Sequence, residues 1–368
     1  MERLKKIFGT LVFFAIGIVL FVAVSYTLRP ATNDFFRKEV TGFYAEKEDS
    51  LDIVALGSSA LYRYFNNPYL WSECGYTSYN LATPSQSVFL AENLIDEIYK
   101  TQSPDLIVIE TRKFLGTEEK SDNAWRFPMV YDNMKYSGNR IQAINAVEDD
   151  WNKRVEAYFD IISYHDTWED FTYENLEYAD NEASQELKGW LISPDVVEIE
   201  EPEILKSDEA EPIPEAAEEA LVSIMEKCKE ENIQVLFVAT PWDIPKGRQK
   251  RNRYLEELIE ENGFRFLDCN QYQEEIGLDY TKDFYNAKHT NLDGSEKVTK
   301  FIGEYIQENY DINTEHSDKV TEDWNNTLNK YIVEAADAKD EIEAKAAEIK
   351  EEQKNITEDE DTTVAVSE

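Results

Sequence analysis

Four short apolar runs constrain this chain more than any other feature: "LDIVALG" (51–57), "PDLIVIET" (104–111), "NIQVLFVATP" (232–241) and "FRFLDC" (264–269). Each is bounded by turn residues and has the length of a strand, so each reads as a strand buried in a sheet. Helical patterns fall between them: "SVFLAENLIDEIYK" (87–100), "PEAAEEALVSIMEKCKEEN" (214–232) and "KRNRYLEELIEEN" (250–262), the last followed by Gly263 as a stop signal. Strand and helix alternate without a tight hairpin signal. That alternation predicts an α/β fold, with a mostly parallel sheet and helices on both faces.

Residues 7–28 carry no charge over 22 positions, long enough to cross a bilayer as a helix. A cleaved signal peptide has a shorter apolar region and a small-x-small exit, whereas "SYTLRPA" is a poor cleavage site. The run therefore reads as an uncleaved single-pass anchor in the cell membrane. Arg3, Lys5 and Lys6 precede it, which predicts a cytoplasmic N-terminus at 1–6 and an extracytoplasmic remainder. Arg29, Arg37 and Lys38 on the far side make the asymmetry mild. The formal net charge of −39 repels phosphate backbones and anionic head groups, which excludes nucleic acid as a partner and leaves membrane attachment to the apolar run.

Beyond the anchor, residues 29–50 read as a polar juxtamembrane segment and 51–310 as the α/β domain. Residues 115–190 hold few strand signals but include Trp125, Trp151, Trp168 and Trp190. They predict a mostly helical insertion lying over one edge of the sheet, its aromatics packing the subdomain core or stacking on carbohydrate. Residues 195–213 are acidic and Pro-containing, hence a loop. Residues 311–368 form an acidic tail; from 317 onward it carries 16 acidic and 6 basic side chains. A solvated helix is expected there, and disorder over the final "NITEDEDTTVAVSE". Cys74, Cys228 and Cys269 cannot all pair within one chain, and whether two of them do is open. His165, His289 and His316 are far apart, and no CxxC, HExxH, GxGxxG or P-loop occurs, so no metal or cofactor is expected.

The chemistry-bearing stretch is "LGSSALYRYF" (56–65), where the first strand ends in two hydroxyls. Ligands of parallel α/β sheets bind at the carboxyl ends of the strands. Ser58 or Ser59 is then a nucleophile beside the N–H groups of the following turn, or a helix cap that satisfies one of them. A serine nucleophile needs a base. His289, in "KDFYNAKHTNLDGSEKV", precedes the last helix of the pattern, which is expected near Ser295; from there it could meet the first strand at the same sheet edge.

"LGSS", "YNLATPSQ" and "DFYNAKHTNLDG", in that order, resemble the SGNH/GDSL hydrolases. In particular they are similar to the membrane-anchored branch containing the teichoic-acid D-alanylation protein DltD and the alginate O-acetylation proteins. The resemblance covers roughly residues 50–310 and implies a three-layer SGNH-like domain. It places the nucleophile on Ser59, with Gly57 and Ser58 before it, and the base on His289. Ser59 and Ala82, with Asn80 beside it, become the oxyanion donors. The family's third-block asparagine is absent, Glu110 and Thr111 standing there. Asn286 occupies the place of the triad aspartate, three residues before His289, and Asp283 is the alternative carboxylate. The implied activity is O-acylation of an envelope polysaccharide or polymer beside a multi-spanning membrane O-acyltransferase. An anchored esterase or deacetylase, or a non-catalytic envelope-binding protein, are the competing expectations.

Overall fold

The computed structural model describes residues 1–29, 35–173, 185–205 and 209–366. Five strands form a parallel sheet: β1 (Ile53–Gly57), β2 (Ser78–Ala82), β3 (Leu106–Glu110), β4 (Val235–Ala239) and β5 (Arg265–Asp268), in the order β2-β1-β3-β4-β5. The period-2 alternation of side chains divides each strand between two cores. Val54, Leu56, Ile107, Ile109, Val235 and Phe237 face one, and Ile53, Ala55, Leu106, Val108, Leu236 and Val238 face the other. Both faces being covered explains why these strands read as nearly unbroken apolar runs.

Residues 51–90 supply the short helices α3 (Ser59–Tyr64) and α4 (Asn67–Cys74), preceded in the chain by α1 (Glu2–Leu28) and α2 (Phe35–Phe43). Further on come α5 (Ala91–Ile98), α6 (Gly138–Val147), α7 (Trp151–Tyr158), α8 (Glu215–Glu230), α9 (Lys246–Glu261), α10 (Leu292–Asn309) and α11 (Asp318–Val366). Leu94, Ile95, Leu221, Ile224, Leu255 and Ile259 bring α5, α8 and α9 to the first core. Leu61, Leu70, Val298 and Ile302 bring α3, α4 and α10 to the second. The direction of winding reverses between β1 and β3, which makes a crevice outside the carboxyl ends of those two strands.

β2 escaped the reading of the sequence because its inward face is polar. Ser78 Oγ donates to Asn67 Oδ1 at 2.7 Å, and Asn80 Nδ2 donates to the Phe65 carbonyl at 2.7 Å. Both residues are fully buried, so hydrogen bonds rather than apolar contact tie this edge strand to α3 and α4. A second departure is a two-stranded antiparallel hairpin, β6 (Phe284–Asn286) and β7 (His289–Thr290), turned by Ala287 and Lys288. Without Gly, Asn or Asp in the turn, it left no hairpin signal.

Three expectations about the periphery are corrected. The insertion at 115–190 is mostly helical where described, but only its last residues meet a sheet edge, where the Lys188 carbonyl accepts from the Asn80 N–H of β2 at 3.0 Å; its helices pack elsewhere. Met134, Ala143, Ile144 and Val147 join the first core, and α6 packs outside α5. The helix against edge strand β2 is α2, inside the segment expected to be merely polar; its Val40 and Phe43 are buried, and the Tyr79 hydroxyl donates to the Glu39 carbonyl. The acidic tail is a packed helix, continuous to Val366 through most of the stretch expected to be disordered. Trp324, Tyr331, Ala335, Ala338, Ile342 and Ala346 form a buried stripe at helical spacing. Tyr331 meets the buried Trp190 ring edge-on at 5.7 Å, and Lys339 and Lys345 pair with Glu296 and Asp195 at 2.8 and 2.7 Å. The lysines of an acidic helix thus bind acids of the domain beneath it. All three cysteines are free thiols.

α1 is long and apolar enough to cross a membrane, with a mean hydropathy of 2.8 over its best window and none of that window buried. Just beyond it, Arg29 enters the domain and pairs with the buried Asp160 at 2.6 Å; Arg140 pairs with the same carboxylate at 2.6 Å.

Candidate active site

β1 ends at Gly57 because nothing larger fits. A Cβ there would stand 2.7 Å from that of Glu110 on β3. Ser58 follows in extended conformation at the N-cap of α3, but its side chain caps nothing; Oγ donates instead to Glu110 Oε2 at 3.2 Å. Ser59, the first residue of α3, also leaves the helix uncapped, with its Oγ 2.9 Å from His289 Nε2. Neither hydroxyl has the capping role that serines at a helix start commonly take.

The hairpin explains how His289 reaches that point. Asn286 and His289 are cross-strand partners flanking the turn, and Asn286 Oδ1 lies 3.1 Å from His289 Nδ1. The same oxygen accepts from the Lys288 backbone N–H at 2.9 Å. A backbone N–H must face oxygen, so the amide orientation is set, and Nδ1 carries the imidazole proton. Nε2 is left with its lone pair toward the Ser59 hydroxyl, the tautomer a general base requires. The hairpin is held from both sides. The Tyr64 hydroxyl and the Arg112 guanidinium donate to the Lys288 carbonyl at 3.0 and 2.6 Å. At its base, Asn291 caps α10 and donates to the Lys282 carbonyl at 2.6 Å.

Asp283 is not the partner of His289. Its carboxylate is buried and occupied by Lys297 Nζ at 2.6 Å and the Asp279 backbone N–H at 2.7 Å. It precedes β6 and binds α10, whereas the imidazole is served by the residue directly across the turn. Asn80 is likewise corrected as an oxyanion donor: its backbone N–H goes to the Lys188 carbonyl at 3.0 Å and its amide to Phe65. Ala82 ends β2 in register with Gly57, one strand from the Ser58–Ser59 turn. Glu110 accepts from Ser58 and from the Arg112 backbone N–H, while the Thr111 hydroxyl donates to the Val238 carbonyl. Neither of these two replaces an asparagine donor.

The sequence reading missed the charge around the imidazole. Arg63 lies one helical turn after Ser59 on the same face of α3, its guanidinium 4.7 Å from the Tyr285 ring centre and bonded to the Leu191 and Ile192 carbonyls. Arg112, just past β3, stacks on Trp242 at 4.8 Å and donates to Thr240 Oγ1 at 2.8 Å. Tyr285 stacks on His289 with ring centres 5.4 Å apart and planes 15° from parallel. Burial first, then Arg112, Arg63 and Lys288, lowers the His289 pKa to about 3. Burial also pushes the Glu110 carboxyl up, against the pull of Arg112 and Ser58. The i, i+4 spacing of Ser59 and Arg63, and an arginine at the carboxyl end of the second apolar run, were the available signals.

The other two histidines lie elsewhere: His316 faces Asp52 at 3.4 Å, and His165 is exposed in the insertion. Among the described residues, no cluster of three or more His, Cys, Asp or Glu side chains could hold a metal ion. No family model, curated protein or solved structure matches the chain.

Proposed function

We propose that this chain is a membrane-anchored, extracytoplasmic serine enzyme of the SGNH type that moves acyl groups on an envelope polysaccharide or polymer. The observation that carries this reading is the Ser59–His289–Asn286 hydrogen-bonded series at the β1 carboxyl end, beside the reversal in strand order. Ser59 Oγ attacks the acyl carbonyl while His289 Nε2 takes its proton; the tetrahedral oxyanion forms near the Ser59 and Ala82 N–H groups. Collapse releases the alcohol, which recovers the proton from His289. A second hydroxyl, or water, then repeats the sequence on the acyl-enzyme. Asn286 keeps the imidazole in the working tautomer but brings no charge to the imidazolium.

Arg63, Arg112 and Lys288 favour an acceptor polymer that carries negative charge, since such a substrate supplies what Asn286 lacks. A multi-spanning acyltransferase partner would deliver the acyl group, and α1 would hold the two together with the N-terminus cytoplasmic. Low basicity at His289 favours a second reading, a polymer-binding protein without turnover. A fluorophosphonate probe separates the two. An adduct mapped to Ser59, lost in Ser59→Ala and retained in Ser58→Ala, supports the enzyme. An unlabelled folded chain overturns it in favour of binding.

A further inference from the structure

A short stretch of the insertion, residues 159–171, lies against the apolar helix α1. Phe159 meets Phe21 edge-on with ring centres 5.9 Å apart. The turns at Asp160–Ser163 and His165–Asp170 also touch α1. Phe21 belongs to the membrane-length span Glu2–Ser25 of α1 and stands four residues before its end. At ~1.5 Å per residue, the contact lies roughly 6 Å inside the outer end of that span. The joint is fastened by buried charge. Asp160 binds both Arg29 and Arg140 with almost no exposure of any of the three side chains, so α1 and this stretch share one orientation.

The same stretch turns large apolar side chains away from the domain. Phe159, Ile162, Trp168 and Phe171 are 43, 43, 65 and 42% exposed. Tryptophan beside the end of an apolar helix matches the membrane–water interface, where amphipathic rings are favoured, and phenylalanine and isoleucine beside it suit the acyl boundary just below. Asp166 and Glu169 are exposed on this stretch, and the chain as a whole is strongly acidic, so an anionic surface would be repelled.

We propose that residues 159–171 form a second membrane contact, seated in the head-group region of a zwitterionic bilayer around the chain's own anchor. The contact sets the tilt of the domain over the membrane, and with it the height at which Ser59 meets substrate. The inference rests on α1 being a membrane anchor, and its test treats the two separately.

The full chain is reconstituted into phosphatidylcholine nanodiscs with and without bromine on the acyl carbons nearest the glycerol. α1 contains no tryptophan, so the anchor itself is silent in tryptophan emission. Brominated lipid should quench tryptophan emission, and Trp168→Phe should remove at least half of that quenching. Failure of the chain to enter discs overturns anchoring and this proposal together. Entry into discs without quenching, or with equal quenching in Trp168→Phe, overturns this proposal alone and assigns the exposed side chains to a protein partner. Replacing a third of the lipid with phosphatidylglycerol should weaken the Trp168-dependent quenching; strengthening would overturn the choice of a zwitterionic surface.

Discussion

Two arginine pairs in this molecule serve opposite ends. At the junction with the apolar helix α1, Arg29 and Arg140 converge on Asp160, and Arg140 also lies 3.4 Å from Asp132. Around His289, Arg63 and Arg112 place their guanidinium hydrogen bonds on carbonyls and a hydroxyl, and among the described residues neither forms an ion pair. The first cluster is balanced from within and acts as a joint. The second is fastened by neutral acceptors and keeps a positive field at the imidazole, which is the ground for proposing an anionic substrate there. Buried charge is tolerated where it is paired; left unpaired beside a reacting group, it selects the sign of what binds.

Unbalancing the joint should have the largest effect. Asp160→Asn leaves two buried guanidiniums without their shared carboxylate and should cost about 3–5 kcal/mol of stability, as removal of one member of a buried pair does. Thermal unfolding of the solubilised chain checks it. Arg63→Gln, at the unpaired cluster, should shift the melting temperature far less while raising KM for an anionic polymer ester. Equal destabilisation by both would erase the distinction.

The pH profile is the next most sensitive measure. An ordinary histidine, with a pKa of about 6.5, would lose roughly thirtyfold of its free-base form by pH 5. His289, held near 3, stays neutral there, so kcat/KM on an activated ester should be flat from pH 7 to 5. Stability should run the other way. Between about 6.5 and 3 the unfolded chain binds a proton that folded His289 refuses, so stability falls as pH drops through that window. Relative to wild type, His289→Gln should lose less stability over the same range, measured by denaturant titration at each pH.

Asn286→Asp restores a charge opposite the imidazole. It should raise the His289 pKa, move the acid limb of the profile upward and increase turnover by roughly tenfold, the scale of one pKa unit. Asp283→Ala, by contrast, should change turnover less than about twofold, because its carboxylate belongs to Lys297 and the Asp279 backbone. A larger kinetic effect of Asp283→Ala, with no effect of Asn286→Asp, would return the orienting role to Asp283.

The local code of the chain determined the α/β class, four of the five parallel strands, the main helices and the membrane-length apolar run. Continuous burial and helical periodicity leave their mark directly in hydropathy. Ser59 and His289 were legible as candidates because the end of a buried strand and the start of the last helix can be located along the chain. β2 was hidden by Ser78 and Asn80, whose burial depends on partners in α4 and at Phe65. Only the tertiary structure chose Asn286 over Asp283. Both lie within six residues of His289, and the choice rests on a hairpin turned by Ala287 and Lys288 and on Lys297 arriving from α10. Tertiary structure alone also brought Arg63 and Arg112 to one imidazole and Arg29 and Arg140 to one carboxylate. Charge acts through space over a few ångströms, and residues as far apart as Arg29 and Asp160 become neighbours only when the chain folds.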